Sequence, residues 1–178
     1  MNIDTNQTLH KLEETAQFYL NQLDQLTMEQ LTYKTDETDW SLGQMYVHLI
    51  NSALHMQIRN IELCRELQTD RSQPIIEGKS EAGESIFALG SFPPIRVAVP
   101  PSPAYTPGQP TSKEQLVLGF QQVLNRMQEI EPTIAAIPAT NLVAHPRFGG
   151  LNAIEWFTLI EMHYRHHLLQ NERLLGLL

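Results

Sequence analysis

Apolar residues recur at helical spacing in the first third of the chain and predict two helices there. In residues 5–26, leucines and an alanine follow one another at intervals of three or four positions. A polar break follows, and Ser41 then has Gln44 three residues later, which is the pattern of a capping box. From this cap a second amphipathic helix is predicted to run to about Leu67.

The last third of the chain predicts two more helices. Ser112 is expected to cap the third helix, and Pro132 is expected to end or kink it near Glu131. Asn152 is expected to cap the fourth, which should run to about Leu175. No strand-like alternation is long enough to build a sheet. The predicted fold class is therefore all-α, a four-helix bundle with a long Pro-rich connection between helices two and three.

The connection over residues 69–111 has a different composition from the helices. It holds eight of the eleven prolines and four of the nine glycines, which excludes a long regular helix through most of it. A short helix is expected at residues 80–89. A loop of this length is often a functional cover, and its apolar residues favour partial docking on the bundle: Ile86, Phe87, Phe92, Ile95, Val97 and Val99. The whole chain, residues 1–178, is predicted to be one domain with 69–111 as an irregular insertion.

Composition narrows the choice of partners. The net charge of −8 argues against a nucleic-acid partner, because phosphate binding needs a basic surface. No apolar run approaches the roughly 20 residues of a membrane helix, and the N-terminal residues do not have the pattern of a secretory signal. A cytoplasmic location without a membrane partner is therefore expected. The single cysteine, Cys64, excludes an intrachain disulfide and a cysteine-rich zinc site.

Histidines of helices two and four are candidates for a metal site. His163 and His167 are four residues apart, so they share one face of a helix. His48 on helix two could supply a third neutral nitrogen. His166, three residues after His163, is an alternative ligand to His167. The interpretation without metal is that His163 and His167 are partly exposed histidines at the edge of a polar face. The spacing lacks the glutamate of His-Glu-x-x-His and is not that of a zincin protease.

The other histidines are weaker candidates. His48 and His55 lie seven residues apart on one stripe, with Ser52 between them, and periodicity does not choose which one is a ligand. A structural role in a turn is favoured for His145 over a position at the mouth of the site. His10 is assigned no function. No carboxylate beside these histidines is a convincing general base.

Two segments resemble a known family. Residues 40–48, which begin Trp-Ser and end at His48, resemble the opening of helix two in the DinB-like/YfiT superfamily. Residues 145–151, 155–156 and 163–170 resemble the approach to the last helix of that superfamily, and the helix itself. The resemblance implies that His48, His163 and His167 bind one divalent metal ion. It also implies relationship to thiol-dependent transferases and isomerases and to metal-dependent hydrolases.

The expected function follows from that resemblance. We expect a metal-dependent thiol S-transferase or hydrolase that uses zinc or nickel and acts on a small molecule, with a low-molecular-weight thiol as the candidate partner. Homodimerisation through helical faces is a further expectation. The alternatives are a non-catalytic, stress-related binding protein with a structural or vestigial metal site, and a helical interaction module without metal.

Overall fold

The computed structural model describes residues 3–67, 76–94 and 106–178. These residues are mostly helical, as expected for an all-α fold. None of the described helices is long and apolar enough to cross a membrane. The elements are α1 (Thr5–Gln25), α2 (Met28–Thr32), α3 (Leu42–Ser52), a π-helical segment (Ala53–Ile58), α4 (Arg59–Glu66), α5 (Glu81–Leu89), α6 (Lys113–Ile134), β1 (Val143–His145), β2 (Gly149–Leu151), α7 (Ala153–His166) and α8 (Leu168–Leu175).

Buried aromatic rings join the long helices. Helix α1 packs against α6 and α7, while α3 packs against α6 and α4 packs against α7. Rings from α1, α3, α6 and α7 meet in the core, with centroids 5.4 Å apart for Tyr19 and Tyr46 and 5.8 Å apart for Tyr19 and Phe120. The Tyr19 hydroxyl donates to the backbone oxygen of Tyr164 at 2.7 Å. This buried contact fixes α1 beside the helix that carries two of the candidate histidines.

The predicted helix starts are found where the caps indicated. Ser41 and Gln44 form a capping box at the start of α3, and Asn152 and Glu155 form one at the start of α7. The Ser112 side chain caps α6. Helix α1 ends at Gln25, one residue before the expected end. Polar side chains that satisfy free backbone N–H groups were therefore reliable markers of helix beginnings.

The third helix continues past the predicted end. It includes Pro132 and ends at Ile134, not near Glu131. Proline lacks an N–H and forfeits one helical hydrogen bond. Two observations explain the extra residues: Ile134 is completely buried, and the Thr133 hydroxyl donates to the backbone oxygen of Ile130 at 3.1 Å.

The second and fourth predicted helices are both interrupted. Between α3 and α4 the chain forms the π-helical segment, so the helical path is continuous but its turn is not uniform. Helices α7 and α8 meet at His167, a residue with φ −75° and ψ −5°. The His167 N–H still donates to the backbone oxygen of His163 at 3.2 Å. Both irregularities lie next to candidate ligands.

A short hairpin precedes α7, where only a turn was predicted. Strands β1 and β2 pair antiparallel, with His145 opposite Gly149. Gly149 has φ +75°, and a Cβ there would come within 2.5 Å of the Ser80 nitrogen. A Cβ on Gly150 would collide with the backbone oxygen of Glu77. The two glycines are therefore needed because the described part of the Pro-rich connection lies directly against the hairpin.

Part of the Pro-rich connection docks on the helices, as expected. Helix α5 is the predicted short helix, capped by Ser80. Ile86 is buried, and Phe87 and Phe92 are partly buried against the core. The remaining apolar residues of the prediction, Ile95, Val97 and Val99, lie outside the described residues.

Candidate metal centre

Three histidines meet where α3 faces the end of α7. The Nε2 atom of His163 lies 3.1 Å from the Nε2 atoms of both His48 and His167. The three candidate ligand atoms all lie within 4.8 Å of one another. The structure thus brings together the three residues that the sequence singled out, in an arrangement that could hold a metal ion.

The local helix geometry explains this convergence. His163 and His167 are one turn apart at the end of α7, so their rings project from one face. His48 comes from α3. His55 does not join them: it lies seven residues further along, about 10 Å at the helical rise, within the π-helical segment, and it is exposed.

Neighbouring side chains orient two of the three rings. The Nδ1 atom of His167 lies 2.8 Å from Oε1 of Gln170, and its N–H donates a hydrogen bond to that oxygen. This assigns the proton to Nδ1 and leaves the Nε2 lone pair directed at the site. The Ser52 hydroxyl lies 3.5 Å from Nδ1 of His48. Among the described residues, the buried Nδ1 atom of His163 has no partner.

The surroundings favour neutral imidazoles. Burial lowers the pKa of His48 to about 4 and, together with the neighbouring His48, lowers the pKa of His167 to about 3. Burial and the neighbouring histidines also lower the pKa of His163 well below its ordinary value. A neutral ring keeps a free lone pair, which is the form that binds a metal ion.

The spacing fits a small divalent cation. Nitrogen ligands about 2.0–2.1 Å from a tetrahedral zinc ion lie roughly 3.3 Å from one another. The separation of 3.1 Å found for two pairs of Nε2 atoms is close to that value. If all three Nε2 atoms carry lone pairs, these would repel one another, and a cation between them would remove the repulsion. Three protein nitrogens would also leave a coordination position for another ligand.

Three other histidines lie outside the triad. His166, the predicted alternative to His167, is not in the cluster and packs its ring 5.4 Å from Phe92. His10 is exposed and lies 3.5 Å from Glu14. His55 is exposed, as described above.

His145 has the structural role that was favoured for it. Its Nδ1 atom accepts the backbone N–H groups of Arg147 at 3.0 Å and Phe148 at 3.2 Å. The ring stacks on Phe148 with centroids 4.3 Å apart. Burial, with the nearby Arg147, lowers the pKa of His145 to about 4. The ring therefore stabilises the hairpin turn in its neutral form.

The acidic residues of α7 and Cys64 have other partners. Glu155 belongs to the capping box and pairs with Lys79. Both carboxylate oxygens of the buried Glu161 accept hydrogen bonds from Arg165, at 2.7 and 3.0 Å. Cys64 is buried, and burial raises the pKa of its thiol to about 11. None of these groups has the contacts expected of a general base or nucleophile at the triad.

Two aromatic rings border the triad. The Trp40 ring lies 5.0 Å from the ring of His48, and the Phe92 ring lies 6.4 Å from that of His163. Gln170 and Phe92 were not predicted from the sequence to be parts of the site. The spacing of Gln170 from His167, three residues on a helix, could have indicated the first. Periodicity carries no such signal for Phe92, which lies in the irregular connection.

Comparison with known proteins identifies one family. A family model described as the DinB superfamily matches residues 11–170 of the 178 residues. The match includes all three histidines of the triad and the Pro-rich connection. Comparisons with curated proteins and with solved structures found no match.

Proposed function

The chain belongs to the DinB superfamily, and from that premise we propose that it is a metal-dependent thiol S-transferase or hydrolase. Its divalent ion, zinc or nickel, is bound by the Nε2 atoms of His48, His163 and His167. The substrate is a small molecule, and a low-molecular-weight thiol is the proposed partner in the transferase reaction.

One observation carries this proposal. Three buried or half-buried imidazoles direct Nε2 atoms at one point, with two separations of 3.1 Å. Burying three polar rings beside one another is costly unless their nitrogens are satisfied. A shared metal ion would satisfy all three, which makes metal binding a better explanation of the cluster than packing.

The chemistry depends on neutral ligands. A bound divalent ion would supply Lewis acidity and lower the pKa of a thiol or water molecule bound beside the histidines. Three neutral imidazoles would leave the positive charge of that ion undiminished. Gln170 would hold His167 in the ligating tautomer through Nδ1. The Ser52 hydroxyl would be a weaker neighbour of Nδ1 of His48.

The wider architecture is part of the proposal. We interpret the four long helical regions (α1, α3 to α4, α6, and α7 to α8) as a four-helix bundle. Residues 1–178 then form a single domain, with 69–111 as its insertion.

A cytoplasmic location and a homodimer are also part of the proposal. Sedimentation of the purified protein tests the homodimer, and a monomer at micromolar concentration would exclude a stable one.

Activity assays test the catalytic part. The metal-loaded protein is incubated with a low-molecular-weight thiol and an organic electrophile, and in parallel with ester and amide substrates. Metal-dependent conjugation or hydrolysis that is lost in His163→Ala is the expected result. The matched control is His55→Ala, because His55 is exposed and outside the triad. Turnover that persists in His163→Ala would refute the mechanism.

A non-catalytic protein with a structural metal is the second candidate. The specific observation in its favour is that Glu161, the buried carboxylate nearest in sequence to His163, is paired with Arg165. The two candidates differ in turnover, and the thermal response then separates a structural metal from a vestigial site. A structural metal predicts that chelation lowers the melting temperature while no thiol or ester is turned over. A vestigial site predicts an unchanged melting temperature.

A further inference from the structure

Helix α5 is fixed at its N-terminal end to the hairpin that precedes α7. The Ser80 hydroxyl donates to the backbone oxygen of Arg147 at 2.8 Å, and the Ser80 N–H donates to that of Phe148 at 2.8 Å. Lys79 pairs with Glu155 at the start of α7. This end of the helix therefore has several polar attachments to the element that carries His163 and His167.

The other end of α5 is attached directly to α7. The helix ends at Leu89, and Gly90, its C-cap, has φ +63°. An Nη2 hydrogen of Arg165 is donated to the Gly90 backbone oxygen at 2.7 Å. The same guanidinium is held by both oxygens of the buried Glu161. The attachment thus begins at a residue only two positions from His163.

Because α5 is attached at both ends, Phe92 lies beside the histidine triad. Two residues beyond Gly90, the Phe92 ring is half-buried, 6.4 Å from the ring of His163 and 5.4 Å from that of His166. It also lies 5.8 Å from Phe148. Phe92 is therefore packed on aromatic rings of the last helix and the hairpin, at the border of the triad.

Charge and shape at this border indicate which ligand would fit. The three neutral histidines would not neutralise a divalent ion, so an anionic head group is favoured at the remaining position. Glu161 is paired with Arg165 and supplies no free charge. Phe92 beside His163 and Trp40 beside His48 are aromatic rings that border this position, so the rest of a bound ligand would meet them. Aromatic rings attract one another at centroid distances of about 4.5–7 Å.

We propose that Phe92 is a specificity-determining residue that selects ligands joining an anionic, metal-binding head group to an aromatic ring. The inference rests on the metal site proposed above and names the class of its ligand. The ring of the ligand packs against Phe92 while the head group occupies the position left by the three histidines. An aliphatic group of equal size fills the same space without the ring-to-ring attraction.

A pair of thiols tests this preference. The full-length protein is loaded with Co²⁺ and titrated with phenylmethanethiol and with cyclohexylmethanethiol. The two thiols differ in acidity as well as in aromaticity, so each dissociation constant is expressed for the thiolate form. Binding is followed by the absorption of the thiolate–cobalt charge transfer. We expect phenylmethanethiol to bind about 2- to 10-fold more tightly, the range of an aromatic pair.

Three variants show whether Phe92 causes the difference. Phe92→Leu should reduce the ratio of the two dissociation constants to about 1, and Phe92→Tyr should retain it. Phe87→Leu is the matched control, because Phe87 is also half-buried on the same connection but packs beside Lys79. Melting temperatures and cobalt content verify that each variant is folded and loaded.

The outcomes separate the two proposals. A ratio near 1 in the parent, or an unchanged ratio in Phe92→Leu, would overturn the role of Phe92 while the metal site stands. If the cobalt-loaded protein binds neither thiol, the role of Phe92 is also overturned and the metal site still stands. Failure of the parent to retain cobalt would overturn the metal site and, with it, this inference.

Discussion

His163 occupies the central position among the three histidines. Its Nε2 atom is the one that lies 3.1 Å from both other Nε2 atoms, and its ring borders Phe92. His48 and His167 are each supported by a neighbour at Nδ1. At the scale of single residues, metal binding therefore depends on three neutral imidazole rings and on the side chains beside two of them.

Gln170 is expected to tune metal affinity without contacting the metal. In Gln170→Ala the Nδ1 proton of His167 loses its acceptor, so the ring and its tautomer are less well defined. The affinity for zinc should fall by about 10- to 100-fold, as measured by competition with a chromophoric chelator. Gln17→Ala, which removes an exposed glutamine of α1, is the control. Equal affinities in the parent and Gln170→Ala would contradict the role assigned to Gln170.

The metal-free protein should lose stability on acidification. The pKa of His48 is about 4 in the folded protein and 6.5 for the ordinary side chain, so the unfolded chain binds the proton more tightly. The stabilisation is therefore complete above pH 6.5 and lost as the pH falls towards 4. Between about pH 7 and about pH 5, His48 alone should cost about 2 kcal/mol of unfolding free energy. Urea unfolding of the parent at both pH values measures this loss. The loss should be smaller in His48→Gln, and an equal pH dependence in the two proteins would argue against a buried neutral His48 ring.

At the scale of elements, helix starts were predictable and helix irregularities were not. Ser41 and Asn152 satisfy backbone groups within three residues of themselves, so the local sequence determines these caps. The π-helical segment has no side-chain cap and packs against α7, and no local pattern in the sequence marked it. The persistence of α6 beyond Pro132 depends on tertiary burial of its last turn.

The bond between α5 and α7 should contribute measurably to stability. Arg165→Met removes the partner of the buried Glu161 and the donor to Gly90. We expect a loss of about 1–3 kcal/mol in the free energy of unfolding, because a buried acceptor loses its hydrogen bonds. Arg126→Met, which breaks more exposed ion pairs, should cost less than about 1 kcal/mol.

Urea unfolding of both variants provides this comparison. Adding Glu161→Gln to Arg165→Met should recover part of the loss, because it removes the unpaired buried charge. Equal losses in Arg165→Met and Arg126→Met would mean that the attachment of α5 contributes no more than a surface ion pair.

At the scale of the whole molecule, the site joins segments far apart in the chain. His48 lies 115 residues before His163, and the core that aligns their helices includes the buried contact from Tyr19 to Tyr164. The family resemblance predicted this pairing from two short motifs. It did not predict the position of Phe92, because the Pro-rich connection has no periodicity and its docking depends on contacts with the hairpin and α7.

Metal content of the purified protein is the most direct test of the central claim. The parent is compared with the double variant His163→Ala/His167→Ala and with a control, His10→Ala/His55→Ala, which removes two exposed histidines outside the triad. We expect about one divalent ion per chain in the parent and the control, and its loss in the triad variant. Absence of metal from the parent after incubation with zinc or nickel, or equal metal content in all three proteins, would contradict it.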